Sequence, residues 1–170
     1  DFKKGRVNNI ETHDEERIAY DAVKYAQSWI KNDWAVLSKR LQAVYAFHFL
    51  TPYPKMMWQF GELGYDVSIE ENGRTGRKPV KTAEYVAMPE RKALYDTYAG
   101  LIAFRMANPR FFDKDATFDW TSSGTTKVIK CTADGKSFYV IGNFSRGTQT
   151  VTATLPSSGT WTNWFDKTES

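Results

Sequence analysis

Residues 6–17, RVNNIETHDEER, decide how this chain is read: a short β-prone run, Val7–Glu11, stops at a His-Asp pair, and an acidic helix start follows. Strand, loop and helix in that order make one βα step. It puts His13 and Asp14 at the carboxyl end of the strand, the end at which α/β folds carry their chemistry. A second reading stands beside the first. Thr12 and Glu15 have the spacing of a capping box, in which a hydroxyl and a carboxylate satisfy the orphan amide hydrogens of a helix start. Acids at a helix N-terminus also suit its dipole. The two readings are compatible.

Working outward, the spacing of Ile18, Ala22, Val23 and Ala26 predicts a helix over Asp14–Trp29. A second helix follows, capped by Asn32 or Asp33. Its stripe of Val36, Leu37, Leu41, Val44, Tyr45 and His48 runs down to Leu50 and is stopped by Pro52 and Pro54. His48 reads as a packed or surface histidine, with no acidic or nucleophilic neighbour in sequence. Lys55–Phe60, KMMWQF, is short, apolar and closed by Gly61, which predicts a buried strand. Residues 61–88 form a long irregular segment rich in glycine and charge (GELGYD, ENGRTGRKP), and a loop of that length in a compact domain is usually functional or disordered. Pro89 then opens a helix to about Ala107, with Ala93, Leu94, Tyr98, Leu101 and Ile102 inward and Asn108-Pro109 ending it.

Beyond Pro109 the composition turns to Thr, Ser, Gly and aromatics in period-two alternation. Strands are expected at Thr117–Trp120, Lys127–Thr132, Ser137–Phe144, Thr148–Leu155 and Trp161–Phe165, with Asp134-Gly135 as a two-residue hairpin turn. The change marks a domain boundary, giving residues 1–109 and residues 110–170. The first part reads β-α-α-β-loop-α and the second as an antiparallel sheet or sandwich. Two parallel strands cannot bury both faces of a sheet, so the first part reads as incomplete. The start at Asp1, without a methionine, agrees with a piece of a longer protein.

Composition excludes several classes. Lys and Arg number 23 against 20 Asp and Glu, interspersed rather than gathered into a basic block, so no nucleic-acid partner is expected. One cysteine, Cys131, leaves no internal disulfide, and with two histidines a zinc site is not expected; neither a metal nor a cofactor is called for. No apolar run approaches the roughly 20 residues that span a bilayer, so no membrane partner is expected, and the compartment stays open.

Four segments in order, NNIETHDEER, PKMMWQFGELGYD, NGRTGRKP and RKALYDTYAGLIAFRMANP, followed by a small all-β part, resemble the C-terminal portion of an alpha-amylase family glycoside hydrolase. The resemblance implies the end of a (β/α)8 TIM-barrel catalytic domain followed by an antiparallel β-sandwich. Val7–Glu11 would be strand seven, Lys55–Phe60 strand eight and Glu90–Ala107 the eighth helix. The sandwich would stop early, at FDKTES. By the same resemblance, Asp14 is the third catalytic carboxylate, which grips sugar hydroxyls more tightly as the ring distorts. His13 hydrogen-bonds the sugar at the scissile bond. Glu62, Tyr65 and Asp66, with Arg74 and Lys78, would line the rim of the sugar cleft, although charged residues of a long loop are more often solvated. Trp58 and Phe60 could stack on a sugar face or fill the core.

A retaining glycosidase needs a nucleophile and an acid/base carboxylate about 5 Å apart. In the family both lie on strands four and five, upstream of Asp1, so this chain alone is expected not to hydrolyse starch. The expected partners are an α-glucan oligosaccharide, the remainder of the parent enzyme and, through open strand edges, a second copy of the chain. A branching enzyme or transglycosylase of the same family is an alternative. So is a non-catalytic carbohydrate-binding module using Trp120, Tyr139, Trp161 and Trp164.

Overall fold

A computed structural model describes residues 6–155 and 158–169 of the chain. Its elements are helices followed by one antiparallel sheet: α1 (Ile18–Tyr25), α2 (Ser28–Lys31), α3 (Trp34–Phe49), α4 (Thr82–Val86), α5 (Pro89–Ala107), then β1 (Thr117–Thr121), β2 (Thr126–Ala133) and β3 (Lys136–Asn143). Short 3₁₀ turns lie at Gly61–Leu63 and Pro109–Phe112.

The strongest local signals produce the longest helices. Asp33 caps α3, its carboxylate accepting from the amides of Ala35 at 2.9 Å and Val36 at 3.2 Å. The expected stripe then buries Leu37, Leu41, Tyr45, His48 and Phe49. Pro89 occupies the first turn of α5, where its missing amide hydrogen costs nothing, and Leu94, Tyr98 and Leu101 turn inward. The two helices meet through Tyr98, whose ring lies 4.3 Å from that of Tyr45 and 5.0 Å, edge-on, from that of Phe49.

The expected helix over residues 14–29 is shorter and broken. It begins at Ile18, because Asp14 and Glu16 are engaged by a distant loop. Ala26 and Gln27 are extended, separating α1 from α2. The break lets Ile30 reach the core and Trp29 lie against the Arg40 guanidinium, 4.5 Å from its ring centroid.

The expected strands at Val7–Glu11 and Lys55–Phe60 reduce to one parallel bridge, Asn8 to Lys55. The Asn8 amide donates to the Pro54 carbonyl at 3.0 Å and the Met56 amide to the Asn8 carbonyl at 2.9 Å. A parallel ladder needs further rungs or neighbours to continue, and Phe60 already turns away in a left-handed conformation, φ 65°.

In the second half, β1, β2 and β3 form an antiparallel sheet in that order. Asp134 and Gly135, at φ 50° and 73°, make the expected tight turn between β2 and β3. The expected strands at Thr148–Leu155 and Trp161–Phe165 do not form. Residues 148–155 join no ladder and are tied by the Tyr139 hydroxyl donating to the Thr154 carbonyl at 2.6 Å, and residues 161–165 hold one antiparallel bridge, Thr162 to Glu169, and the start of a turn. A second sheet is therefore absent among the described residues, and helices take its place. Cys131 pairs with Phe138 and Ile129 with Val140 on one face. Phe138 packs edge-on against Phe104 of α5 at 5.3 Å and Phe111 at 5.0 Å. One apolar interior thus runs from Ala19 through α3 and α5 to Ile129, Cys131 and Phe138.

Inside it, His48 is 8% exposed and its Nε2 finds no hydrogen-bond partner among the described residues. Burial, aided by Lys55 and Arg105, pushes its pKa down from 6.5 to about 4. The unfolded chain therefore binds the proton more readily. The stability that neutral His48 contributes is complete above pH 7 and is lost as the pH falls from 6.5 towards 4. Burial raises the Glu11 carboxyl above its usual range, an opposite and partly offsetting effect. A His48→Gln variant is expected to lose about 1–2 kcal/mol less than the wild-type chain between pH 7 and pH 5, by urea unfolding at each pH. Equal losses would count against this assignment.

Candidate substrate cleft

The site is built from two loops, the first shaped by a buried carboxylate, Glu11, and the second docked on it by a half-buried one, Glu16. Glu11, 5% exposed, accepts the Ile18 amide at 3.0 Å and so caps α1 from seven residues upstream. Its other oxygen lies 3.8 Å from Nη1 of buried Arg17. The chain between must bulge outward. Thr12 closes that bulge locally, accepting the Asp14 amide at 3.0 Å and donating to the Glu15 carboxylate. The Thr12–Glu15 pair therefore shapes a turn rather than capping a helix. Its result is that His13 and Asp14 project, each side chain 69% exposed, with Nε2 and Oδ1 3.5 Å apart.

The second loop, residues 65–80, docks on the first. Glu16 accepts from the Ser68 hydroxyl at 2.6 Å and the Ile69 amide at 2.9 Å. Arg74 donates to the Asp14 carbonyl at 2.8 Å and pairs with Glu70 at 3.2 Å. Lys78 donates to the carbonyls of Glu71 at 2.8 Å and Gly73 at 2.6 Å, closing the tip of the loop. Between the loops lies a cleft of about 390 Å³, with His13, Arg17, Trp58, Tyr65, Arg74 and Arg77 in its walls. The His13 ring is 5.6 Å from that of Trp58. The Arg17 guanidinium lies 5.4 Å from the Trp58 ring and 5.5 Å from the Tyr65 ring, ordering this wall.

The residues expected to act together are thus only partly brought together. His13 and Tyr65 line the cleft, and Asp14 stands beside it. Tyr65 is 4% exposed and its hydroxyl donates to the Pro79 carbonyl at 2.6 Å, so its polar end is occupied. Glu62 faces a different recess, behind Trp58, among Met57, Tyr98 and Ile102. Asp66 is committed elsewhere: it pairs with Arg91 at 2.9 Å and accepts from the Tyr85 hydroxyl. Arg74 ties the second loop to the first through the Asp14 carbonyl, and Lys78 serves the second loop itself. Glu11, Glu16 and Arg17 were missed. An acid inside a β-prone run, followed six residues later by a base, was the available signal for the first and last.

Chemically, the exposed imidazole and carboxylate offer a donor and acceptors to hydroxyl groups, and Trp58 offers an apolar ring beside them. Among the described residues no group of three or more His, Cys, Asp and Glu side chains could hold a metal ion. No described helix is long and apolar enough to cross a membrane. No family model matches the chain, and no curated protein matches it either.

Proposed function

We propose that this chain is the C-terminal part of a retaining glycoside hydrolase of the alpha-amylase family, acting on α-linked glucans. The observation that carries the reading is the parallel contact between Asn8 and Lys55. The two segments that resemble barrel strands seven and eight run side by side in the same direction across a helical crossover, as neighbouring strands of a (β/α)8 barrel do. His13 and Asp14 follow the first of them and Trp58 lies in the last half of the second, with its ring 5.6 Å from that of His13, so the exposed pair and the aromatic ring fall at one end. That is the carboxyl end, where barrel enzymes bind substrate.

In this reading Asp14 accepts hydrogen bonds from sugar hydroxyls and holds them more tightly as the ring flattens towards an oxocarbenium-like state. His13 donates to the same sugar, and Trp58 contacts its apolar face. The nucleophile and acid/base belong to the part of the barrel that precedes these strands, so maltooligosaccharide hydrolysis by this chain alone is not expected. The sheet module reading has less support. Trp161 meets Tyr139 edge-on at 76°, and Trp164 donates to the Gly100 carbonyl at 3.0 Å while packing against Phe104, so these rings are engaged in packing and Trp120 is the exposed one of the four.

Calorimetric titration with maltoheptaose tests the proposal. The wild-type chain is expected to bind, and Asp14→Asn to weaken binding about tenfold or more, the loss of one or two charge-assisted hydrogen bonds. Unchanged affinity in the variant would remove Asp14 from the site.

A further inference from the structure

A pocket of about 320 Å³ opens where α3 meets the turn that follows β3, and it shares no wall residue with the cleft beside His13. Lys39 and Arg40 enter it from α3 and Arg146 from the turn, beside Trp29, and its wall holds no carboxylate. None of the three cations makes an ion pair among the described residues. Convergence sets them apart from scattered surface charge. The Arg40 and Arg146 guanidiniums lie 4.5 Å and 5.5 Å from the centroid of the same Trp29 ring, so like charges more than a hundred residues apart in sequence meet at one place. The attraction of each cation to the ring holds both there.

Arg40 is half-buried and is fixed further, donating to the Phe144 carbonyl at 3.3 Å and the Ser145 carbonyl at 3.2 Å. Those bonds tie the turn to α3 and so bring Arg146, the next residue, to the pocket. They use two of the five N–H donors of the Arg40 guanidinium. The side chains of Arg146 and Lys39 donate to no group among the described residues.

A hollow walled by one sign of charge concentrates ions of the other sign. Two planar guanidinium forks and an ammonium suit a tetrahedral oxyanion, whose oxygens the forks take in pairs. A phosphate group brings about two negative charges and three acceptor oxygens, and answers three cations better than the single charge of a carboxylate. Trp29 is already taken up by two guanidiniums, and Phe144 packs edge-on against Phe47, so the wall offers no bare ring to an organic body. The phosphate group itself is what these side chains can recognise.

We infer that the pocket between α3 and residues 143–146 is a phosphate site, taking inorganic phosphate or the phosphate of a monoester, with Lys39, Arg40 and Arg146 as its donors. It lies apart from the proposed glucan cleft and does not depend on the glucan reading.

The test titrates the chain calorimetrically with inorganic phosphate, glycerol 2-phosphate and acetate at low and high salt, and repeats the series with Lys39→Gln and Arg146→Gln. Both side chains are exposed and hydrogen-bond no other element among the described residues, so the variants should keep the fold, which circular dichroism checks. Arg40 stays in place because it ties the turn to α3. Inorganic phosphate is expected to bind at least tenfold more tightly than acetate and to weaken as salt rises. Each variant should weaken phosphate at least fivefold and leave maltoheptaose within twofold. Glycerol 2-phosphate binding as tightly as phosphate upholds the site and makes an ester its ligand; exclusion of the ester upholds it for the free ion. No phosphate binding, acetate binding as tightly as phosphate, or phosphate affinity unchanged in both variants would overturn the inference, and none of these results bears on the glucan cleft.

Discussion

Replacing Arg91 by methionine is expected to destabilise the chain by about 3–5 kcal/mol, the scale of a buried ion pair that loses one partner. Arg91 is 3% exposed on α5. Its guanidinium sits between the rings of Trp34 and Tyr85, 3.6 Å and 3.7 Å from their centroids. It donates to the carbonyls of Leu63, at 3.0 Å, and Gly64, and pairs with Asp66 at 2.9 Å. Methionine keeps much of the apolar stem but leaves two carbonyls without their donor and Asp66 without its cation. Lysine should not restore stability, because an ammonium cannot serve three acceptors in one plane while stacked between two rings. Urea unfolding of both variants checks this. A loss under 1 kcal/mol for Arg91→Met would contradict it.

Gly61→Ala is expected to cost about 3 kcal/mol, combining overpacking with disruption of a buried hydrogen bond. A methyl group at Gly61 would stand 2.4 Å from the Glu11 carboxylate and 3.3 Å from the Tyr98 hydroxyl. Glu11 cannot yield cheaply. One oxygen caps α1 at Ile18, and the other faces Arg17, which is buried and makes its ion pair with Glu11. Because the same carboxylate holds the bulge that projects His13 and Asp14, the variant should also lose maltoheptaose affinity without any change at those two residues. Stability within 0.5 kcal/mol of wild type would mean that Glu11 is free to move.

Legibility in the sequence followed the range of the interactions. The caps, stripes and stops of α3 and α5, and the Asp134-Gly135 turn, are decided within a few residues, and they could be read directly. The runs at residues 7–11 and 55–60 have strand composition, but a strand is completed by its neighbours, and among the described residues each pairs with the other at one rung. Residues 148–155 and 161–165 alternate as strands do, yet α3 and α5 already cover the face that a second sheet would take. In the site, His13 and Asp14 stood out because they interrupt a β-prone run. The docking of residues 65–80 on Glu16 spans about fifty residues through two hydrogen bonds and has no local signature. Asp66 resembled its charged loop neighbours, and only its distance to Arg91, twenty-five residues on, shows its commitment.

An α-glucan bound as proposed lies between His13, Asp14 and Trp58. The most direct measurement is a map of backbone and tryptophan side-chain amide shifts on ¹⁵N-labelled chain titrated with maltoheptaose. Shifts confined to residues 11–17, 58–60 and 65–80 are predicted, with the Trp58 indole among the largest. Shifts centred on β1–β3 and residues 161–164, or none at millimolar sugar, would contradict it.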